Sequence, residues 1–169
     1  YALNKHQCSS YKSLIDDFGI KKWEIIACLG AASGWVEGVL SLYLDSVIFY
    51  VQDIDTNYLS KTQLNNVVKY YSSLREKPQT NTFFPVLGNT RKTNLPDTIF
   101  DKVILNNSFH EMSNAQKMIK DLAKKIKIRG KIIIADDFSN DYRQIVHPDC
   151  YRQGLQVTDL ITAVEKEGL

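Results

Sequence analysis

No stretch of this 169-residue sequence is apolar for anything near the roughly 20 residues that a membrane-spanning helix needs. No signal peptide opens it either, and the chain reads as cytoplasmic. Cysteine is scarce: Cys8, Cys28 and Cys150 are odd in number and widely spaced, which excludes a disulfide framework and suits a reducing compartment. Charge of one sign is also lacking, since a net charge of +2 is too small to imply a nucleic-acid partner by itself. The local basic cluster of Lys117, Lys120, Lys124, Lys125, Lys127, Arg129 and Lys131 reads as the solvated face of a helix and the turn after it. Hairpin signals such as Asn-Gly between apolar runs are missing, which argues against an antiparallel meander.

What the sequence does contain is an alternation of short apolar runs with segments of helical period. The apolar runs 24–29, 47–51, 82–87, 100–105 and 131–135 have the length and β-branched or aromatic content of strands buried on both faces. Between and around them, 9–18, 34–43, 56–74, 114–126 and 157–167 repeat their apolar residues at three and four spacing, as amphipathic helices do. Asp55 is placed to cap the 56–74 helix, and Ile128, Arg129 and Gly130 read as the turn into the last strand. The pattern predicts one α/β domain over 1–169: a three-layer Rossmann-like sandwich with a mostly parallel central sheet and helices on both faces. In such sheets ligands bind beyond the carboxyl ends of the strands, near the switch in strand order. The polar residues gather there: Gly30 to Gly34, Asp53, Asn89, Asn106 to Glu111, and Asp136 with Asp137.

The loop Gly30-Ala31-Ala32-Ser33-Gly34 joins the first strand to a helix. Its small residues let a ligand approach the backbone, although a tight strand-to-helix turn alone would use the same residues. Asp53, an acid at the end of the second strand, is what a ribose requires. The NAD fingerprint Gly-x-Gly-x-x-Gly is not met. The ordered set Cys28-Leu-Gly-Ala-Ala-Ser-Gly34, Val51 to Asp55, Leu87-Gly-Asn89, Leu95-Pro96, Phe100 to His110 and Lys127 to Ala135 instead resembles the class I S-adenosylmethionine-dependent methyltransferases. Two departures stand out: Cys28 replaces the acid that opens the family's glycine loop, and Ala32 replaces its middle glycine. The family's closing C-terminal hairpin is not found within 1–169, so it lies outside this sequence or the sheet is completed another way.

The resemblance implies S-adenosylmethionine as cofactor, held by Gly30, Ala31, Ala32, Gly34, Asp53, Ile54, Asn89, Thr90, Asn106 and Asn107. Methyl transfer from a sulfonium is an in-line displacement, so the protein's work is to align the acceptor and exclude water. A base is needed only where the acceptor must lose a proton. The candidates are His110, which could also be a bonded helix-entry residue, and Asp137, which could also cap a turn. Substrate contacts are expected from Glu111, unless it closes a capping box with Ser108, and from His147 and Cys150, which are too few for a zinc site; no metal is expected. Trp35 could shield the cofactor or pack as core, and Tyr1 and Tyr11 could belong to a lid formed by 1–20, opposite a substrate loop at 138–156. The expected reaction is methyl transfer to a small-molecule acceptor. An RNA or protein methyltransferase is the first alternative and a non-catalytic cofactor-binding or scaffold protein the second. The oligomeric state is not legible.

Overall fold

A computed structural model describes residues 3–136, 138–139 and 155–166. Two short helices, α1 (Lys5–Cys8) and α2 (Ser13–Asp17), flank a 3-10 turn at Ser9–Tyr11 and lead into β1 (Ile25–Leu29). The chain continues through α3 (Trp35–Leu40), β2 (Ile48–Asp53), α4 (Lys61–Ser73), β3 (Thr82–Leu87) and β4 (Phe100–Asn106). A 3-10 turn at Phe109–Glu111, α5 (Ala115–Ala123), β5 (Ile126–Ala135) and α6 (Val157–Glu165) complete the main elements. A minor parallel pair, β6 (Phe138–Ser139) and β7 (Leu155–Gln156), lies outside the central sheet.

The central sheet has the order β3-β2-β1-β4-β5, with every pairing parallel. The inner strands β1, β2 and β4 are mainly apolar and buried because helices cover both faces, whereas the edge strands β3 and β5 are partly exposed. On β1, Ile26 and Cys28 face the layer of α2, α3 and α4, together with Phe49, Val51 and Ile104. Ala27 and Leu29 face the other layer, where Met118, Ile119 and Leu122 of α5 meet Leu160 and Val164 of α6. The order reverses between β1 and β4, so the crevice at their carboxyl ends is the switch point at which such sheets bind ligands.

Several boundaries differ from the sequence reading. The helix expected over 56–74 starts at Lys61, because Ser60 accepts the Gln63 N–H as its cap; Asp55 instead accepts the Asn57 N–H in the turn before it. The expected turn at Ile128 to Gly130 lies inside β5, as an irregularity opposite Phe100 and Lys102 with Arg129 at φ +69°. The single helix expected over 9–18 is split into a 3-10 turn and α2. Ser108 gives its hydroxyl to the Leu29 carbonyl, so no capping box forms with Glu111.

Gly38 shows what holds α3 against α4. A Cβ there would lie 2.4 Å from Cδ2 of the buried Tyr71 and 3.0 Å from Val67 Cγ1, so the glycine sets the distance between the two helices. Gly38→Ala should gain about 1 kcal/mol of helix propensity but lose about 1 to 3 kcal/mol to overpacking. We expect a lower denaturant midpoint with an unchanged slope. A midpoint at or above that of the parent would show that Tyr71 swings aside freely.

Candidate functional site

The loop after β1 is shaped by two constraints. Gly30 (φ +61°) approaches the β4 end so closely that a Cβ would sit 2.5 Å from Ser108 Cβ. Only a residue without a side chain fits there. The second constraint is Asp53 at the tip of β2. Its Oδ2 accepts the Ala32 N–H at 2.7 Å, while Oδ1 accepts the N–H groups of Ile54 at 2.7 Å and Asp55 at 2.9 Å. Ala32 is held at φ +48°, a conformation that L residues rarely adopt, and the bond to Asp53 offsets that cost.

Two cavities open on either side of this loop and share Gly30 and Ala32. The first, about 350 Å³, takes Asp53, Ile54, Asn89, Thr90 and Glu111 from the predicted set. It adds Gln52, Tyr58, Met112, Ser113 and Met118, which the sequence reading had not singled out, and Asp55 and Ser108, which it had read as helix caps. Ile54 and Tyr58 are half-exposed apolar walls suited to a flat base. Asn89 is fixed by accepting the N–H groups of Arg91 and Lys92 on its Oδ1. The second cavity, about 340 Å³, takes Ala31, Asn106 and Asn107 from the predicted set. Its remaining walls include Tyr11, Phe18, Cys28, Trp35 and Glu37. Tyr11 meets Trp35 edge to face at 5.4 Å between centroids, so the N-terminal segment forms part of this cavity's wall.

Of the other predicted residues, Gly34 lines neither cavity and lies against Leu64 and Val51. His110 is also outside both linings. It is buried, its Nδ1–H donates to Asp136 Oδ1 at 2.7 Å, and its backbone N–H donates to Asp136 Oδ2 at 3.1 Å. The pair ties the loop after β4 to the end of β5. Asp137, His147, Cys150 and Tyr1 lie outside the described residues, as does most of the 138–156 loop. Among the described residues no cluster of three or more His, Cys, Asp or Glu side chains is arranged to hold a metal ion. No helix among them is long and apolar enough to cross a membrane. The basic cluster contributes Lys127, Arg129 and Lys131 to a groove shared with Asp16, Asp17 and Glu24, at the amino ends of the strands and the far end of the sheet from the glycine loop.

Glu37 is the residue that sequence reasoning missed. It lies in the first turn of α3, 4% exposed, and one carboxyl oxygen, Oε2, has no hydrogen-bond partner. The Cys28 thiol is its hydrogen-bonded neighbour. Burial pushes the carboxyl up to about 7, and burial together with the adjacent Glu37 raises the thiol well above its ordinary value. The available signal was a lone acid among Val36, Gly38, Val39 and Leu40, a run in which an acid has no solvated face to occupy.

No family model matches the sequence, and no curated protein matches it. Solved structures do resemble the chain. A SAM-dependent methyltransferase from Aquifex aeolicus aligns over 94% of this chain and 78% of its own, at 18% identity and TM-score 0.67. A TehB-like SAM-dependent methyltransferase from Corynebacterium glutamicum aligns over 93% of this chain and 71% of its own, at 12% identity and TM-score 0.63. The [4+2]-cyclase SpnF aligns over 95% of this chain and 57% of its own, at 10% identity and TM-score 0.73. The chain thus has the Rossmann-like fold of the class I methyltransferases, and that one fold also carries a cyclase.

The buried carboxyl has a measurable consequence for stability. Glu37 keeps its proton in the folded chain up to about pH 7, whereas its ordinary value is 4.5. Between those limits unfolding releases a proton, so this group's contribution to stability falls as pH rises and is level above the window. Glu37→Gln removes that loss. The stability of the variant relative to the parent should therefore rise by about 3 kcal/mol between pH 4.5 and pH 7.5, measured by denaturant titration. A pH-independent difference would show that Glu37 reaches solvent.

Proposed function

We propose that this chain transfers a methyl group from S-adenosylmethionine to a small-molecule acceptor. The observation that carries the reading is the meeting of two cavities over one glycine loop at the switch point of the sheet, with Asp53 beside the shared residues. The residues present fit the cofactor. Gly30 borders both cavities without a side chain, Asp53 Oδ2 has an acceptor site left for a ribose hydroxyl, and Ile54 offers an apolar surface to adenine. Asn89 and Thr90 would border the base, while Ala31, Asn106 and Asn107 would line the end where the methyl donor meets its acceptor.

When bound, the cofactor supplies an activated methyl group on a sulfonium. The chain's own part is to hold the acceptor in line and keep water out. Tyr11, Phe18 and Trp35 provide an apolar wall for that purpose. His110, clamped by Asp136, acts in this reading by positioning the loop of Asn106 and Asn107. Asn107 sits at φ +51° with its N–H bonded to the Ala135 carbonyl, so this loop is fixed to the end of β5 from two sides. Glu111, on the rim of the first cavity, and Asp137, His147 and Cys150 remain the proposed substrate-side groups. A small-molecule acceptor is favoured because Lys127, Arg129 and Lys131 lie in a groove of mixed charge at the opposite end of the sheet from the cavities.

Calorimetry tests the cofactor. Micromolar binding of S-adenosylmethionine and of its demethylated product is expected, with none of NAD. Asp53→Ala should weaken both by on the order of 1 to 3 kcal/mol, since it removes a charge-assisted acceptor and releases the loop. Unchanged affinity would mean that the ribose partner lies elsewhere. On the acceptor side, binding to RNA should be weak and nearly independent of salt; tight binding with a steep salt slope would move the acceptor to nucleic acid.

A further inference from the structure

The second cavity is apolar on most of its lining, and Glu37 is the one charged side chain among the described residues that border it. A carboxyl group in such a place is costly unless something compensates it. Besides its own backbone N–H, its neighbour is the Cys28 thiol, a weak donor. Glu37 Oε2 receives no hydrogen bond although it is buried. The group sits one helical turn beyond the loop that both cavities share, on the first turn of α3. A ligand spanning both cavities across Gly30 and Ala32 would bring its far end into the cavity that Glu37 borders.

We propose that Glu37 is the anchor for a cationic amine at the non-nucleoside end of the ligand, delivering from α3 a carboxylate that β1 does not carry at Cys28. The inference rests on the reading of that ligand as S-adenosylmethionine, whose amino-acid end bears an ammonium group. A primary ammonium supplies the strong donors that Oε2 lacks, and the low-polarity surroundings of Phe18, Trp35, Leu40 and Ile104 strengthen the pairing once it is made. The cavity's remaining polar side chains, those of Tyr11, Asn106 and Asn107, carry no formal negative charge to compete for the amine. The amine would therefore orient the ligand, fixing which end of the cleft receives the methyl donor.

Three ligands separate this role from its alternatives. S-adenosylhomocysteine carries both the ammonium and the carboxylate, its decarboxylated analogue carries only the ammonium, and 5′-methylthioadenosine carries neither. Each is titrated by calorimetry into the parent and into Glu37→Gln, which has nearly the same shape. The substitution should weaken S-adenosylhomocysteine and the decarboxylated analogue by on the order of 10- to 100-fold each. Binding of 5′-methylthioadenosine should stay within about twofold, and it also reports that the variant's nucleoside pocket is folded. Equal losses for all three ligands, or no loss for the first two, would overturn the assignment of Glu37 while leaving the cofactor reading intact. Failure of the parent to bind any of the three would overturn the cofactor reading itself, and the role of Glu37 with it.

Discussion

The carboxylate of Asp53 is the constraint on which the cleft depends. It sits at the last position of β2, so its place is set by the register of the sheet, and it collects N–H groups from Ile54, Asp55 and Ala32. The first two bend the chain away from the strand. The third reaches across to the next strand's loop and holds Ala32 in a left-handed conformation that an alanine does not adopt readily. A glycine at that position would adopt this backbone at no steric cost, and here a charge-assisted hydrogen bond takes over that task. The two cavities share the atoms around Gly30 and Ala32, so the shape of both follows from this one bond network. A carboxylate already accepting three N–H groups also has its orientation settled by the fold itself.

The five strands and their alternation with helices were legible because the inner strands β1, β2 and β4 are mainly buried and the partly exposed edge strands are still rich in apolar residues, so each appears as a short apolar run between polar breaks. Ile26 and Cys28 look one way and Ala27 and Leu29 the other, yet all four are apolar. The positions of Gly30, Asp53, Ile54 and Asn89 were legible for a related reason, since a strand's end in this topology is also a ligand's place. Boundaries were harder. Asp55 and Ser60 are both competent caps, and the choice between them turned on which one the first turn of α4 could reach. Ile128, Arg129 and Gly130 carry the residues of a turn, but pairing with β4 continues past them, and the left-handed Arg129 is absorbed as an irregularity within the strand.

The site's deeper chemistry was not legible, because burial is a property of the assembled layers. A histidine followed by a glutamate at the end of a strand reads as a proton-transfer candidate; its enclosure against Asp136, 26 residues on, is decided by how the loop after β4 meets the end of β5. Glu37 poses the opposite case. Acids in the first turn of a helix are common because they complement the helix dipole, and that ordinary reading masked the signal of a lone acid in the apolar run Val36 to Leu40. Its significance appears only when α3 is laid on the sheet and the buried carboxyl comes to rest beside the thiol of Cys28 with Oε2 unpartnered.

Cys28 and Glu37 are best understood together. The side chain of residue 28 points from β1 toward the layer of α2, α3 and α4, and Glu37 points from α3 back toward the same space. An acid on either side of this helix-sheet interface would therefore bring its carboxyl to nearly one point. Placing it on both sides would force two like charges together at a cost that burial magnifies. The small, weakly polar thiol at residue 28 leaves room for the longer side chain descending from the helix. Tyr11 and Trp35 close the same space from the N-terminal side. Cys28, where the methyltransferases' glycine-loop pattern has an acid, thus lies opposite a buried acid on α3, and the loop itself is fixed by Asp53 and by the approach of Ser108 to Gly30.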